Sequence, residues 1–275
     1  MAENNKISEA SVKSIKESIE NRGILFEDEI ADGLNNIFSP NIWNISQNFC
    51  LRETPIHEGF NERYEIDFLI SRINPFELNF LIEAKFSSYE WCFFQYKRLQ
   101  VEENNKTYNL VFKDGLDGPY FSPTMNWNND ESFLVEKVKR SIPLRFNGDE
   151  VVLNKKGTIE TTERDLVRDS VRQLAKNTQV YLKRMENEEV KEAIIFLIIV
   201  TNTPLKFFDY NDIGFYQDMN YACFEFDDFM FWKREKLATS IDGRLKALSK
   251  FHVLIVNFNH LEHFVRQMLP ECILT

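Results

Sequence analysis

The chain of 275 residues is long enough to bury a core of its own, and at roughly 150 residues per domain it reads as one large domain or a core with a substantial insertion. Its 43% apolar and 28% charged residues exclude wholesale disorder, a collagen-like repeat and a membrane-embedded fold. A formal charge of -10 argues against non-specific attraction to a polyanion, and 9 glycines with neither G-x-G-x-x-G nor G-x-x-x-x-G-K-[ST] argue against a phosphate-cradling loop.

In chain order, Val12, Ile15 and Ile19 recur at helical spacing and predict an amphipathic helix over 8–21, punctuated by Gly23. A second helix is predicted in ILFEDEIADGLNNIF, with Phe26, Ile30, Leu34 and Ile37 on one stripe and Ser39-Pro40 closing it. The period then changes to two. Ile66, Phe68 and Ile70 share one face, Asn74-Pro75 interrupts, and Phe80, Ile82, Ala84 and Phe86 share a face again, which predicts a β-hairpin over 65–86. Residues from about 87 to 160 are aromatic-rich as far as Trp127 and broken by GLDGP and SPTMNWNND, with a short helix predicted over 132–140 and short strands elsewhere.

A long helix is predicted over 162–185, because Val167, Val171, Leu174, Thr178, Tyr181 and Met185 step by four and three. AIIFLIIV, residues 193–200, is too short for a membrane and too β-branched to prefer a helix, so it reads as a central strand covered on both faces. Strands over 221–226 and 252–258 and a helix over 261–268 complete the chain. No repeat or low-complexity linker marks a boundary, so 1–275 is expected to be one domain with an insertion at about 87–160 and a C-terminal extension at about 205–275. The expected class is α/β, a layered fold with a mixed central sheet flanked by helices.

Opposite the apolar set of the hairpin lie Glu65 and Asp67 on the first strand and Glu83 and Lys85 on the second, since side chains alternate with period two. For Asp67 to share a face with Glu83 and Lys85 it must pair with one or the other, which centres the turn on Pro75 or Phe76, where Asn74-Pro75 stands. Two carboxylates on adjacent strands repel each other unless a cation lies between them, and hard oxygen ligands suit Mg²⁺ or Mn²⁺. A lysine beside such a pair can orient or deprotonate an attacking water and offset charge that develops on a scissile phosphate.

Asp67 followed by Glu83-Ala84-Lys85 resembles the D...(D/E)-x-K signature of the PD-(D/E)XK nuclease superfamily, the restriction-endonuclease-like fold. RGILFEDEI is similar to the G-x-x-F-E segment that opens the first core helix of many members, and a helix followed by a strand ending in VTN matches the family's order. The resemblance covers roughly 20–86 and 162–203. It implies that Asp67 and Glu83 ligate Mg²⁺, or Mn²⁺ in its place, with the Ala84 carbonyl as a further ligand, and that Lys85 acts on the water. It also implies an extra acid on the first helix. Glu27 flanks the apolar stripe there, whereas Glu29 is turned about 100° from Ile30 on the other side, which selects Glu27. In members with a glutamine on the later helix that residue approaches the site, and Gln173 is the candidate. Ile66 stands where the nominal proline would be.

The activity implied is hydrolysis of DNA phosphodiesters in a restriction or defence setting. The alternatives are a non-catalytic scaffold or regulatory subunit that acts through protein contacts, and an RNA-processing member of the fold. Double-strand cleavage needs two sites and so points to a homodimer, and the acidity points to a protein partner that supplies positive surface.

Other features are ambiguous alone. Arg164, Arg168, Arg172 and Lys176 recur every four residues with Lys183 near the same side; the stripe suits a phosphate backbone, with Arg172 and Lys176 nearest the candidate glutamine, or a solvated face paired with Glu163, Asp165 and Asp169. The aromatics from Tyr89 to Trp127 suit base stacking or, as is usual, a core. His260 and His263 lack Cys or Asp at ligand spacing, so zinc is not expected. Cys50, Cys92, Cys223 and Cys272 form no C-x-x-C knuckle. With no apolar leader at the N-terminus and no run near the roughly 18 residues that span a bilayer, the expected setting is the cytoplasm, without membrane insertion.

Overall fold

The computed structural model describes residues 13–14, 23–52, 63–72, 77–95, 107–114, 119–126, 136–138, 140–162, 164–190, 192–209, 215–226 and 251–268. The elements in chain order are α1 (Ile24–Ile37), β1 (Asn44–Arg52), β2 (Arg63–Arg72), β3 (Glu77–Lys85), β4 (Glu90–Gln95), β5 (Thr107–Asp114), β6 (Pro119–Asn126), β7 (Glu136–Val138), β8 (Ser141–Leu144), β9 (Phe146–Asn147), β10 (Glu150–Val151), α2 (Leu166–Asn187), β11 (Glu192–Thr201), β12 (Leu205–Asp209), β13 (Tyr216–Met219), β14 (Tyr221–Phe226), β15 (Phe251–Asn257) and α3 (Leu261–Met268). The protein is mixed α/β, built on a nine-stranded mixed sheet with the strand path β1-β2-β3-β11-β15-β14-β7 and with β5 and β6 joined at β11.

β11 is the axis of this sheet. Its apolar run is parallel to β3 along its whole length, pairs antiparallel with β5 over 192–195, and pairs parallel with β15 over 198–201. A strand paired on both edges and packed on both faces satisfies its backbone and buries every side chain, so a continuous apolar run suits it. One face is covered by α2 through Val167, Val171 and Leu174. The opposite face is covered by α1 through Phe26, Ile30 and Leu34 and by α3 through Leu261, Phe264 and Val265. Phe80 and Phe196 stack at 4.7 Å between ring centroids beneath Phe38 and Trp43, fastening α1 to the β3–β11 pair.

The parallel pair β3–β11 does not end at the sheet edge. After Lys85↔Thr201, residues 86–90 on one chain and 202–204 on the other form a joint, and pairing resumes at Trp91↔Leu205 as β4 and β12 of a second sheet, ordered β13-β12-β4-β8. Short polar side chains hold the joint. The Ser87 N–H donates to Asn202 Oδ1 at 2.8 Å, Thr203 Oγ1 to the Tyr89 carbonyl at 2.8 Å, and Asn257 Nδ2 to the Thr203 carbonyl at 2.9 Å. The VTNTP sequence thus supplies side-chain partners where two sheets diverge and the ladder lapses. In the second sheet Lys206 is buried between Glu90 and Asp218, at 3.3 and 3.0 Å, with the Tyr216 ring 4.0 Å from its ammonium.

Most predicted elements recur at nearly the expected bounds. α1, α2, β11, β14, β15 and α3 all appear, and the hairpin takes the first of its two allowed registers, with Phe68 opposite Ile82. β14 and β15, from the stretch expected as an extension, lie within the main sheet. Of the helix expected over 8–21 only Lys13 and Ser14 are described, and these are helical.

The helix expected over 132–140 is corrected. Glu136–Val138 is a strand, parallel to β14, with Val138 opposite Phe224 and 2% exposed; residues 132–135 and 139 lie outside the described set. Pairing with a sheet edge and burial of Val138 outweigh a weak local preference. β1 has no counterpart among the predicted elements. Among the described residues no helix is long and apolar enough to cross a membrane.

α1 begins at a close approach. Gly23 has φ 73°, a left-handed conformation, and a Cβ there would stand 2.9 Å from Phe86 Cβ. Gly23→Ala is expected to destabilise the fold by roughly 1–3 kcal/mol in urea denaturation, the backbone and the contact both contributing. Gly148, also left-handed at φ 63° but facing open space, isolates the backbone share, so Gly148→Ala should cost measurably less. Equal losses would mean that the Phe86 contact is immaterial.

Candidate functional site

β2 and β3 pair in register from Arg72↔Leu78 to Phe68↔Ile82. Beyond that pair Asp67 reaches across, and its Oδ2 accepts the Ala84 N–H at 2.7 Å. The alternation expected to put Ile66 with Phe68 and Ile70 breaks at this point. Phe68 and Ile70 face α1, whereas Ile66 and Tyr64 pack toward α2 with Leu69 and Leu81. β1 changes face with β2: Ile45 packs toward α1, and Phe49 and Leu51 toward α2. Between the pairs Gln47↔Phe68 and Phe49↔Ile66 stands Asn48, with φ 51°. Asparagine is one of the few residues that tolerates this left-handed conformation. A paired change of face in two strands keeps both apolar surfaces covered and turns Asp67 out of the regular ladder.

Glu83 follows Leu81 on β3 and is 0% exposed. Its Oε1 meets the Lys85 ammonium, and its Oε2 is buried without a hydrogen-bond partner. Lys85 is partly exposed and spans from the buried acid to solvent. Glu27, half-buried on the first turn of α1, completes the group.

Burial pushes the Glu83 carboxyl up to about 7; the Asp67 charge adds to this and Lys85 opposes it. Asp67 is also raised, by burial above all, against the opposing pull of Lys85 and the Ala84 N–H. Glu27 is raised by burial and then by Asp67. Three acids, each made harder to ionise by burial and by a neighbouring carboxylate, surround Lys85. This arrangement favours a proton or a cation.

The donors fit a hard divalent ion. Oxygen is the only ligand type, and Glu83 Oε2 is a buried acceptor with nothing to accept from. Among the described residues no three His, Cys, Asp or Glu side chains form a metal-holding group on their own. Asp67, Glu83 and the Ala84 carbonyl would therefore hold an ion that keeps several of its waters, the habit of Mg²⁺.

The structure brings together Glu27, Asp67, Glu83, Ala84 and Lys85, but not the remaining candidates. Gln173 is exposed. Lys176 places its ammonium 4.8 Å from the Tyr64 ring centroid, and the charges dominating at the three acids are those of the acids themselves, Lys85, Glu65 and Asp28, not of Arg172 or Lys176. The basic stripe is partly spent on neighbours, with Arg164 on Asp169. Trp91 and Phe93, from the aromatic stretch, are 0% exposed core residues. His260 and His263 flank the Tyr221 ring. Cys50, Cys92 and Cys223 are free thiols.

Asn177 was missed. It is buried, and its Nδ2 donates to the Glu65 carbonyl at 2.6 Å, tying α2 to β2 just before Asp67. Its signal is a polar residue three positions after Leu174, on the apolar side of an amphipathic helix, where a polar group survives only with a partner. No protein-family model matches the chain, and no curated protein and no solved structure matches it.

Glu83 titrates near 7 in the folded chain against 4.5 ordinarily. A carboxyl whose folded value lies above its unfolded value binds more protons in the native state, so its cost is absent below about pH 4.5, grows as pH rises, and is complete above about pH 7. The gap is worth on the order of 3 kcal/mol. In chelator-treated protein Glu83→Gln is therefore expected to melt several degrees above the parent at pH 8 and level with it at pH 4. Identical melting at pH 8 would show that the buried carboxylate carries no such cost.

Proposed function

We propose that this protein is a metal-dependent nuclease of the PD-(D/E)XK type that hydrolyses DNA phosphodiester bonds, in restriction or genome defence. The observation that carries the reading is the buried Glu83 carboxylate, one oxygen on Lys85 and the other unpartnered, beside an Asp67 that leaves its ladder to bond the Ala84 N–H. The layering supports it too: β2, β3, α2 and β11 follow in the order that the restriction-endonuclease-like fold requires, with α1 on one face and α2 on the other. The choice of DNA over RNA comes from the resemblance in Asp67, Glu83-Ala84-Lys85 and the F-E helix.

Asp67 and Glu83, with the Ala84 carbonyl, would hold Mg²⁺ or Mn²⁺. When bound, the ion supplies positive charge against the scissile phosphate and acidifies water at the site. Each protein group then has a defined task. The Ala84 N–H fixes one Asp67 oxygen, which leaves the carboxylate a single orientation. Glu83 must lose its proton before it can ligate, so with a value near 7 its readiness increases through neutral pH.

Lys85 can leave Glu83 toward solvent, where its ammonium orients the attacking water and offsets charge on the phosphate. Glu27 faces the same space and can accept a hydrogen bond from that water. Cleavage of both strands would pair two copies of the site, as in a homodimer.

Purified protein should nick or linearise plasmid with Mg²⁺ or Mn²⁺. Asp67→Ala, Glu83→Ala and Lys85→Ala should each reduce the rate by about 10²-fold or more without lowering the melting temperature enough to unfold the chain. The parent rate should climb between pH 6 and 8 as Glu83 ionises. Undiminished cleavage by the Lys85 variant would overturn the assignment. A folded parent that binds no divalent ion in calorimetry would favour the non-catalytic scaffold instead.

A further inference from the structure

Between β8 and α2 the chain makes a small projection, PLRFNGDEVVLNKKGTIETT, whose composition differs from the rest of the acidic protein. β9 and β10 pair through Asn147↔Glu150 and Phe146↔Val151, and bridges at Leu153↔Ile159 and Leu144↔Thr161 close a second turn over 154–158. That turn is held tightly. Asn154 Oδ1 accepts the Lys156 N–H at 2.9 Å and the Thr158 N–H at 3.1 Å, and the Asn154 N–H donates to the Thr158 carbonyl at 2.7 Å.

The turn presents Lys155 and Lys156, both exposed and both without an ion pair to any described residue. Beside them Leu153 is 55% and Ile159 48% exposed, facing each other across the bridge. Of the acids in the projection, Glu160 is paired with Arg145 and Asp149 accepts from the Tyr216 hydroxyl, while Glu150 is exposed on β10. Two exposed lysines set between an exposed apolar pair on a tightly held turn complement a polyanion that also offers an apolar groove.

The base of the projection is joined to the strand that follows the candidate site. Leu144, at its base, is opposite Glu90, and Glu90 opens β4 just beyond the joint that follows Lys85. The stripe that runs onto α2 offers less at two of its positions, since Arg164 is held by Asp169 and Lys176 lies over Tyr64.

We propose that the turn over 153–159 is a DNA-contacting element: Lys155 and Lys156 bind backbone phosphates, and Leu153 and Ile159 pack against sugars and base edges in the minor groove. The inference rests on the nuclease reading and gives it the positive surface that a charge of -10 otherwise withholds.

The test is fluorescence anisotropy of a labelled duplex of about 20 base pairs with the full chain in chelator, across a salt series. Each phosphate contact contributes about 0.9 to the slope of log affinity against log salt, so Lys155→Gln/Lys156→Gln should lower that slope by about 2 and weaken binding about tenfold or more at low salt, with an unchanged melting temperature. Leu153→Ser/Ile159→Ser should weaken binding without altering the slope. In plasmid cleavage the lysine variant should raise KM and keep kcat at saturating DNA. Parent binding with an unchanged slope and affinity in the lysine variant would overturn the proposal and leave the nuclease reading standing. Failure of the parent itself to bind or cleave any duplex would overturn both.

Discussion

A carboxylate removed from water beside a second carboxylate is the constraint on which the rest of the site depends. Glu83 is wholly buried on a strand of the main sheet, and Asp67 raises its cost further. Such a group persists only if its surroundings prevent escape, because a side chain free to rotate would turn back to solvent. β3 prevents it. Its backbone at Glu83 is held by β11 through the pair Ile199↔Glu83, just beyond the end of the ladder with β2 at Phe68↔Ile82, so the residue cannot swing out with its strand. The neighbours then adjust: Lys85 comes to one oxygen, Asp67 is drawn onto the Ala84 N–H, and β1 and β2 change face together so that this happens without exposing Phe68 or Ile66.

Rigidity here is secured on both sides of the sheet. On the α1 side, the stack of Phe80 on Phe196 with Phe38 and Trp43 over it ties the strand that carries Glu83 to the helix that carries Glu27. Aromatic pairs contribute about 0.5–1.5 kcal/mol each beyond their burial, so the cluster offsets a cost of the size imposed by one strained carboxyl. On the α2 side, Asn177 fixes the Glu65 carbonyl where β2 has just changed face and its alternation no longer guides it. At the far end, the Ser87–Asn202 joint stops β3 and β11 from fraying immediately beyond Lys85.

How much of this the sequence carries follows from which forces are local. The β2–β3 register was legible because a slip of one residue moves every apolar side chain to the wrong face, and the apolar and acidic patterns agreed on the same turn. β11 was legible because only a strand covered on both faces tolerates IIFLIIV. The change of face at Asn48 and Asp67 was not, because period-two reading assumes an unbroken strand, and nothing in IDFLI signals a break. β1 was hidden by its own polarity: Gln47 and Asn48 lower strand preference, and the segment is a strand because β2 supplies partners. β7 was misread for the related reason that a short segment takes its form from the edge that receives it. Gln173 is suggested only by the resemblance to members with a glutamine on the later helix, whereas Asn177, one turn along the same helix, is the polar side chain that the packing turns inward.

The formal charge of -10 looks different once its placement is known. Glu27, Asp67 and Glu83 converge on one lysine and each is held above its ordinary value; with Glu83 pushed up to about 7, the site carries less negative charge at neutral pH than its composition suggests. A divalent ion would reverse the local field where a phosphate must approach. Away from the centre, Arg164, Arg184 and Arg266 are paired with acids close to them in the chain, which makes those surfaces near neutral and costs a polyanion little. Net charge governs attraction at long range and is screened beyond about 10 Å in ordinary salt. Affinity at contact is decided by the few charges left unpaired, so the proposed engagement of a polyanion would rest on the two lysines of the 153–159 turn and on an ion held at Glu83 rather than on the charge of the whole chain.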